Sequence, residues 1–301
     1  MDLTAAYLSC EQHARAHYEN FPVASVLLPR RMRPHVAAVY AFARAADDFA
    51  DEGTRSTNER IRLLDGWQAR LHDAVLSQAS GPAARPGEPD DAPLIFLAVG
   101  ASIREKRLPR SLFDDLLSAF RQDVTTTRYA NWTDLLDYCR RSANPIGRLV
   151  LRIADYHSEQ LDRWSDAICT ALQLTNFWQD LGVDFARGRI YVPTEQMQTS
   201  RASEDDLRLK AASPEWRHAL SAVTRRTRVL FDEGRPVCDA VSGRLRHELR
   251  ATWLGGSRIL DRLEAGGYDP LAHRPRLGLG DAAWLAAGLL CWRTRPGVQR
   301  G

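Results

Sequence analysis

The chain has 301 residues, 44% hydrophobic and 26% charged, a balance that excludes a wholly disordered, collagen-like or membrane-embedded protein. A chain this long buries enough surface to fold without a metal or disulfide staple. With 41 basic and 38 acidic residues the net charge is +3, too balanced to indicate nucleic acid. Only Lys106 and Lys210 are lysines, so the basic side is nearly all arginine. The five cysteines (Cys10, Cys139, Cys169, Cys238, Cys291) are odd in number, widely spaced and form no C-x-x-C, which predicts buried thiols in a reducing compartment. The first residues show no basic–apolar–small pattern, so no signal peptide is expected. The longest apolar run, Ala282 to Trp292, falls short of the ~20 residues that span a bilayer. A cytoplasmic location follows as the expectation, with attachment to the inner face of the plasma membrane left open.

In chain order, helical spacing is predicted over 3–17, 33–52, 58–78, 93–105, 110–122, 132–154, 160–184, 204–211, 214–241, 243–265 and 281–292. Strictly alternating runs are absent. Breakers such as Pro22, Pro29, Gly53, Pro109, Gly188, Pro193, Pro214 and Pro270 fall between the helices. Residues 77–93 are rich in proline and glycine and read as a surface loop inside one domain. The polar tail over 293–301 is expected to fray. The expectation is an all-α single domain over residues 1–301.

Two helices carry acids in a pattern that bears on chemistry. On the first, Tyr40, Arg44, Asp47 and Asp51 lie within about 60° of one another at ~100° per residue. Their neighbours Val36, Val39, Ala43, Ala46, Phe49 and Ala50 are apolar or small, so the helix is not a generally charged one. On the second, Gln173, Asn176, Asp180 and Asp184 fall within about 80° of one another, while Leu172, Leu174, Phe177, Trp178 and Leu181 carry the rest. A solvated face or a buried hydrogen-bond network is the other reading of such sets. Burying paired carboxylates without a cation is costly, and a divalent ion supplies the missing charge. Oxygen-only donors suit Mg²⁺ or Mn²⁺ rather than zinc or copper. Two such helices facing each other across a bundle would hold a diphosphate between metal ions. No Walker or G-x-G-x-x-G motif is present, so a glycine-loop nucleotide site has no support.

The segments RAADDFADE, DYCRRSANPIG, LQLTNFWQDLGVD and RGRIYVP together resemble the squalene/phytoene synthase family. The resemblance runs from about His17 to Arg258. It implies an isoprenoid-synthase-type helical bundle with a central apolar cavity for farnesyl chains. It also implies that Asp47 and Asp51 form one magnesium motif, and Asn176, Asp180 and Asp184 the other, with Gln173 beside it. Arg44 then matches a diphosphate contact and Tyr40 a cavity tyrosine. Tyr138 matches a tyrosine that handles a proton and stabilises cations. His17, Asn20 and Phe21 match the substrate entrance, and Arg187, Arg189 and Tyr191 the flank near the diphosphate.

Departures from the family pattern are Gln179 where arginine is frequent, Val183 where an acid is frequent, and Ser142-Ala143-Asn144 where V-A-G is frequent. The wording is most similar to the bacterial hydroxysqualene synthase branch of hopanoid synthesis. That branch takes presqualene diphosphate, ionises it and quenches the cation with water, so no NADPH is expected. Ser142 and Asn144 near Tyr138 are candidates to position that water; the alternative is a helix kinked at Pro145 whose polar groups are satisfied locally. Two other readings of the chain remain: a head-to-head prenyl transferase making presqualene diphosphate, squalene or phytoene, and a non-catalytic helical scaffold. Five intact metal-ligand positions speak against the scaffold.

Three further features have two readings each. Arg148, between Ile146 and Leu149, is a candidate diphosphate contact or a surface residue. His13 and His17, four apart on one helix, either ligate a metal or form a surface pair; with no H-E-x-x-H and no third ligand nearby, the surface pair is the expectation. The C-terminal helix, with Trp284, Leu285, Leu289, Leu290 and Trp292 between Arg276 and Arg293, either packs on the core or docks on a membrane surface.

Overall fold

In this computed structural model residues 2–16, 27–76 and 83–294 are described, with Leu279 by its backbone only. They form α1 (Leu3–Ala16), α2 (Arg33–Asp51), α3 (Thr57–Leu76), α4 (Ala92–Lys106), α5 (Arg110–Asp123), α6 (Trp132–Ser142), α7 (Asn144–Ile153), α8 (Glu159–Gln179), α9 (Leu181–Ala186), α10 (Thr194–Ser200), α11 (Pro214–Gly234), α12 (Val237–Ala240), α13 (Gly243–Ala265) and α14 (Leu279–Leu290). A short 3₁₀ turn covers Glu204–Arg208. There is no strand among the described residues, so the all-α expectation holds.

Three predicted helices are divided, each for a local reason. The span 132–154 breaks at Ala143, whose φ of −112° and ψ of −46° end α6; Pro145 has no N–H to continue the ladder. The span 160–184 breaks at Asp180, with φ −101° and ψ 10°. The span 214–241 breaks at Arg235 and Pro236. α10 was not foreseen; it starts directly after Pro193, which caps it with extended backbone. The loop expected over 77–93 gives way to α4 at Ala92.

The chain packs as two compact units, Met1–Thr125 with Pro145–Ser158, and Thr126–Asn144 with Glu159–Gly301. The core of the first unit is aromatic. Phe42 stacks on Trp67 at 5.7 Å between ring centroids and meets Phe113 edge-on at 5.5 Å, arrangements that aromatic quadrupoles favour. Trp67 Nε1 donates to the Phe42 carbonyl at 3.2 Å. The inner face of α2 is built from alanines 37, 38, 41, 45, 46 and 50, all buried, and small side chains let neighbouring helices close in. Gly100 does the same for α4, since a Cβ there would lie 2.7 Å from the Ala74 carbonyl oxygen.

In the second unit α8 lies against α11. Trp178 Nε1 donates to Thr227 Oγ1 at 2.8 Å, and a Cβ on Gly234 would sit 2.6 Å from the Trp164 carbonyl oxygen. α14 is held at both ends. At its start the almost fully buried Asp281 accepts from Arg258 Nε at 2.8 Å, Arg262 Nη2 at 2.6 Å and Gly278 N–H at 2.7 Å. Beyond its end Trp292 lies under the guanidinium of Arg235 at 4.2 Å and donates to Asp239 at 2.9 Å.

The Asp281 clamp makes a pH prediction. Hydrogen bonds from Arg258, the Gly278 N–H and Arg262 hold its carboxyl below the usual carboxylate range. A carboxyl with a depressed folded pKa contributes stability that is present above its unfolded pKa of about 3.9 and lost as pH falls toward the folded value. Asp281→Asn is therefore expected to melt below wild type at pH 7, and the gap should narrow steadily below about pH 4. Melting curves of both proteins against pH check this; a gap that stays constant down to pH 3 contradicts it.

All five cysteines are free thiols. Cys10, Cys139 and Cys238 are buried as expected, and burial pushes the Cys10 thiol up to about 12. Cys169 is only half-buried, and Cys291 departs from the expectation outright, because it lies exposed just after α14.

Candidate active site

The first acidic set lies on α2, whose inner face is alanine and phenylalanine and whose other face carries Tyr40, Arg44, Asp47 and Asp51. Asp47 and Arg44 are partly exposed and Asp51 is exposed. Arg44 reaches Asp48 at 2.6 Å, Glu52 at 3.0 Å and Asp47 at 3.5 Å. Burial disfavours the charge on its guanidinium, but Asp48, Asp47, Glu52 and Tyr40 outweigh that and raise its pKa. The sequence reading placed Arg44 among Asp47 and Asp51; its nearest carboxylate is Asp48. A cavity of ≈ 530 Å³ opens beside Asp48, Phe49 and Glu52 and is lined by neither Asp47 nor Asp51.

The second set straddles the junction of α8 and α9. Although Asp180 leaves helical geometry, Asp180 N–H still donates to the Asn176 carbonyl at 2.9 Å and Asp184 N–H to the Asp180 carbonyl at 2.8 Å. The four-residue ladder runs through the break. Asn176, Asp180 and Asp184 therefore keep their common side, with Gln173 one turn earlier on α8.

A residue that the sequence reading missed governs this set. Arg274 forks Asp180, with Nε to Oδ1 at 2.5 Å and Nη2 to Oδ2 at 3.0 Å. The adjoining Pro275 carbonyl accepts from Gln179 Nε2 at 2.6 Å. Leu271 closes over Gly182, where a Cβ would come within 3.1 Å of its Cδ2. Gln179, a departure from the family pattern, thus binds the very segment that delivers the arginine.

The loop after α9 is equally built. The Asp184 carbonyl accepts the N–H groups of Arg187 at 3.0 Å and Arg189 at 2.8 Å. Gly188 turns the chain at φ +80°, where a side chain would be strained. Arg128 donates to the Gly188 carbonyl at 2.7 Å and forks Glu204 at 2.8 Å through both Nε and Nη2. Arg187 is exposed, Arg189 is half-buried and Tyr191 is buried.

Tyr191 leads into four buried rings. It stacks on Phe177 at 3.6 Å and 5° and lies 5.9 Å from Tyr129; Tyr138 sits 5.5 Å from Tyr129 and 6.2 Å from both Phe177 and Tyr191. The sequence reading had Tyr138 and Tyr191 but not Tyr129, whose only signal was an aromatic residue in the polar stretch 125–131. At the start of α7, the buried Asn144 side-chain oxygen accepts from Thr170 Oγ1 at 2.9 Å. Arg148 is half-buried on α7. His17, Asn20 and Phe21 lie outside the described residues.

No group of three or more histidine, cysteine, aspartate or glutamate side chains gathers among the described residues. The donors available are pairs of carboxylates with amide oxygens. That set fits Mg²⁺, which is bound by one or two carboxylates and completes its shell with water and substrate phosphate. It does not fit a closed protein cage.

Comparison with known proteins agrees with this architecture. The squalene/phytoene synthase profile matches residues 14–281, and the chain belongs to that family. It is 34% identical over 263 residues to a hydroxysqualene synthase of Sinorhizobium fredii, covering 86% of this chain and 83% of that one. It is 39% identical over 216 residues to the hydroxysqualene synthase of Zymomonas mobilis, covering 71% and 67%. Among solved structures, squalene synthase HpnC from Alicyclobacillus acidocaldarius superposes with a TM-score of 0.78 at 38% identity, over 88% of this chain and 95% of that one. A dehydrosqualene synthase superposes at 0.80 with 21% identity over 96% and 97%, a likeness of fold alone. The fold is the isoprenoid-synthase type, as the resemblance implied.

Proposed function

We propose that the chain converts presqualene diphosphate and water to hydroxysqualene, releasing diphosphate. The observation that carries this reading is the 34–39% identity to hydroxysqualene synthases over most of the chain. Asp47 and Asp51 in one set, and Asn176, Asp180 and Asp184 in the other, would hold Mg²⁺ or Mn²⁺. Bound there, the metal would supply charge to the leaving diphosphate. Arg44 and Arg274 each pair with carboxylates, and each is a planar donor suited to phosphate oxygens. Arg187, Arg189 and Arg148 would add positive charge, and His17, Asn20, Phe21 and Tyr40 would receive the prenyl chains.

Ionisation leaves a carbocation whose charge must be held away from bulk water. The rings of Tyr129, Tyr138, Phe177 and Tyr191 offer π faces for that charge, and Asn144 would add a polar group. The reaction needs no reductant. Purified protein with Mg²⁺ should form the alcohol from presqualene diphosphate and give no C30 product from farnesyl diphosphate alone. Mass spectrometry of the two reactions tests this. A second reading, condensation of farnesyl diphosphate or reduction to squalene, is favoured by the similarity to squalene synthase HpnC. C30 product from farnesyl diphosphate alone, or squalene formed only with NADPH, would establish it instead.

The C-terminal helix bears on where the enzyme works. No helix among the described residues is long and apolar enough to cross a membrane. On α14 the one charged side chain, Asp281, is turned inward, while Ala282, Ala283, Ala286, Ala287 and Leu290 are exposed. Arg276 and Arg293 flank that face and are exposed, which complements an anionic surface. We propose peripheral docking of this face on acidic lipids. Trp292, first counted with the docking face, instead packs against Arg235 and Trp253. Flotation with vesicles rich in phosphatidylglycerol should carry the protein up, and Leu290→Asp should reduce the floated fraction several-fold. Equal flotation of both proteins would contradict the docking surface.

A further inference from the structure

We propose that Arg128 and Glu204 are a positioning pair that holds the basic turn 187–189 in place for the diphosphate; the inference rests on the reading above that Arg187 and Arg189 meet that group. Arg128 lies in the irregular stretch 126–131, which runs beside residues 190–195. Three backbone bonds join the two. Ile190 N–H donates to the Thr127 carbonyl at 3.0 Å, Thr194 N–H to the Tyr129 carbonyl at 2.9 Å and Glu195 N–H to the Ala130 carbonyl at 3.1 Å.

Arg128 closes the end of that pairing. Its Nη1 donates to the Thr127 carbonyl at 2.8 Å and to the Gly188 carbonyl at 2.7 Å. Its Nε and Nη2 fork the two oxygens of Glu204, each at 2.8 Å. One planar guanidinium thus ties together its own stretch, the basic turn and the 3₁₀ turn Glu204–Arg208. Gly188 stands between Arg187 and Arg189, so the carbonyl that Arg128 grips is the middle of the basic turn. On the α9 side the same turn is held by backbone alone: the Asp184 carbonyl accepts from Arg187 and Arg189, and the Phe185 carbonyl accepts from Gly188 N–H at 2.9 Å. Two residues beyond Arg189, Tyr191 stacks on Phe177, and Tyr129, next to Arg128, lies 5.9 Å from Tyr191. A shift of the turn carries both arginines and the edge of the ring cluster with it.

Arg128 and Glu204 act through the turn and are positioning residues. Their side chains are 33% and 46% exposed, and ion pairs so exposed add little to the stability of a fold. What the pair contributes is geometry. The hydrogen bonds from Arg128 hold the Glu204 carboxyl below the usual carboxylate range, so the fork stays charged near neutral pH.

Glu204→Gln separates positioning from charge. It removes a negative charge close to an anion site, so electrostatics alone would tighten anion binding. Loss of the fork loosens the turn and weakens binding instead. The probe is inorganic pyrophosphate at saturating Mg²⁺, followed by calorimetry, with KM and kcat for presqualene diphosphate and melting curves alongside. Arg128→Lys is the second variant, because a point-like ammonium cannot serve Gly188 and both oxygens of Glu204 together. Each variant should weaken pyrophosphate binding roughly three- to tenfold. KM should rise by a similar factor, with a smaller change in kcat, and the melting temperature should fall by no more than about 4 °C. Combining the two substitutions should cost little more than either alone, since both break one tie. Wild-type or tighter binding by Glu204→Gln overturns the proposal, as does a fall in melting temperature with binding unchanged. Arg187→Gln and Arg189→Gln, each alone, test the reading beneath it. If either weakens pyrophosphate binding, that reading stands whatever the pair does; if neither does, the turn does not meet diphosphate and both fall.

Discussion

Replacing Asp180 with asparagine should lower turnover by about a hundredfold or more, and Asp47→Asn should do the same. Each change keeps the shape of the side chain and removes a full negative charge. On the proposed reading the lost charge would weaken the hold on a metal ion that would stabilise the leaving diphosphate, and such transition-state electrostatics are commonly worth 10²–10³ in rate. The fold should barely register either change. Asp180 and Arg274 are both partly exposed, and ion pairs at such positions contribute about 0–1 kcal/mol. Steady-state kinetics at saturating Mg²⁺, together with melting curves, separate the two effects. Wild-type turnover in both variants would remove the metal assignment.

Arg44→Lys should raise KM for the diphosphate substrate by roughly ten- to a hundredfold, with a smaller change in kcat. Lysine keeps the charge but loses the planar fork that matches phosphate oxygens. That fork serves Asp48 and Glu52 at 2.6 and 3.0 Å, a partly exposed arrangement whose loss costs about 1 kcal/mol or less. The melting temperature should therefore move by no more than about 2–4 °C. A larger fall in melting temperature with unchanged KM would make Arg44 a structural ion-pair partner.

The sequence carried the helices well because their apolar spacing is a local property. Residues 33–52 and 243–265, predicted as helices, coincide with α2 and α13 within one residue at each end. Its failures lie where one residue overrides a good pattern. Pro145 ends a ladder that Arg140, Arg141 and Leu149 would otherwise continue. Asp180 departs from helical geometry with no breaker beside it except Gly182. The acids of both sets were legible from four-residue spacing, and that spacing survives in the ladder through Asp180. Arg274 was not legible, since it lies 94 positions along the chain from Asp180 in a loop with no periodicity. Tyr129 was hidden for the same reason: its ring meets Tyr138 and Tyr191 only after residues 127–130 line up beside 190–195 through Ile190 N–H to Thr127 and Thr194 N–H to Tyr129. Gln179 was visible as a departure from the family, but its bond to the Pro275 carbonyl was not.

The central claim is that a cation formed from presqualene diphosphate is captured by water in the absence of a reductant. Running the reaction in ¹⁸O-labelled water, with Mg²⁺ and no nicotinamide, tests it most directly. The account predicts a C30 alcohol carrying one ¹⁸O atom. An unlabelled alcohol, or turnover that appears only when a reduced nicotinamide is added, would contradict it.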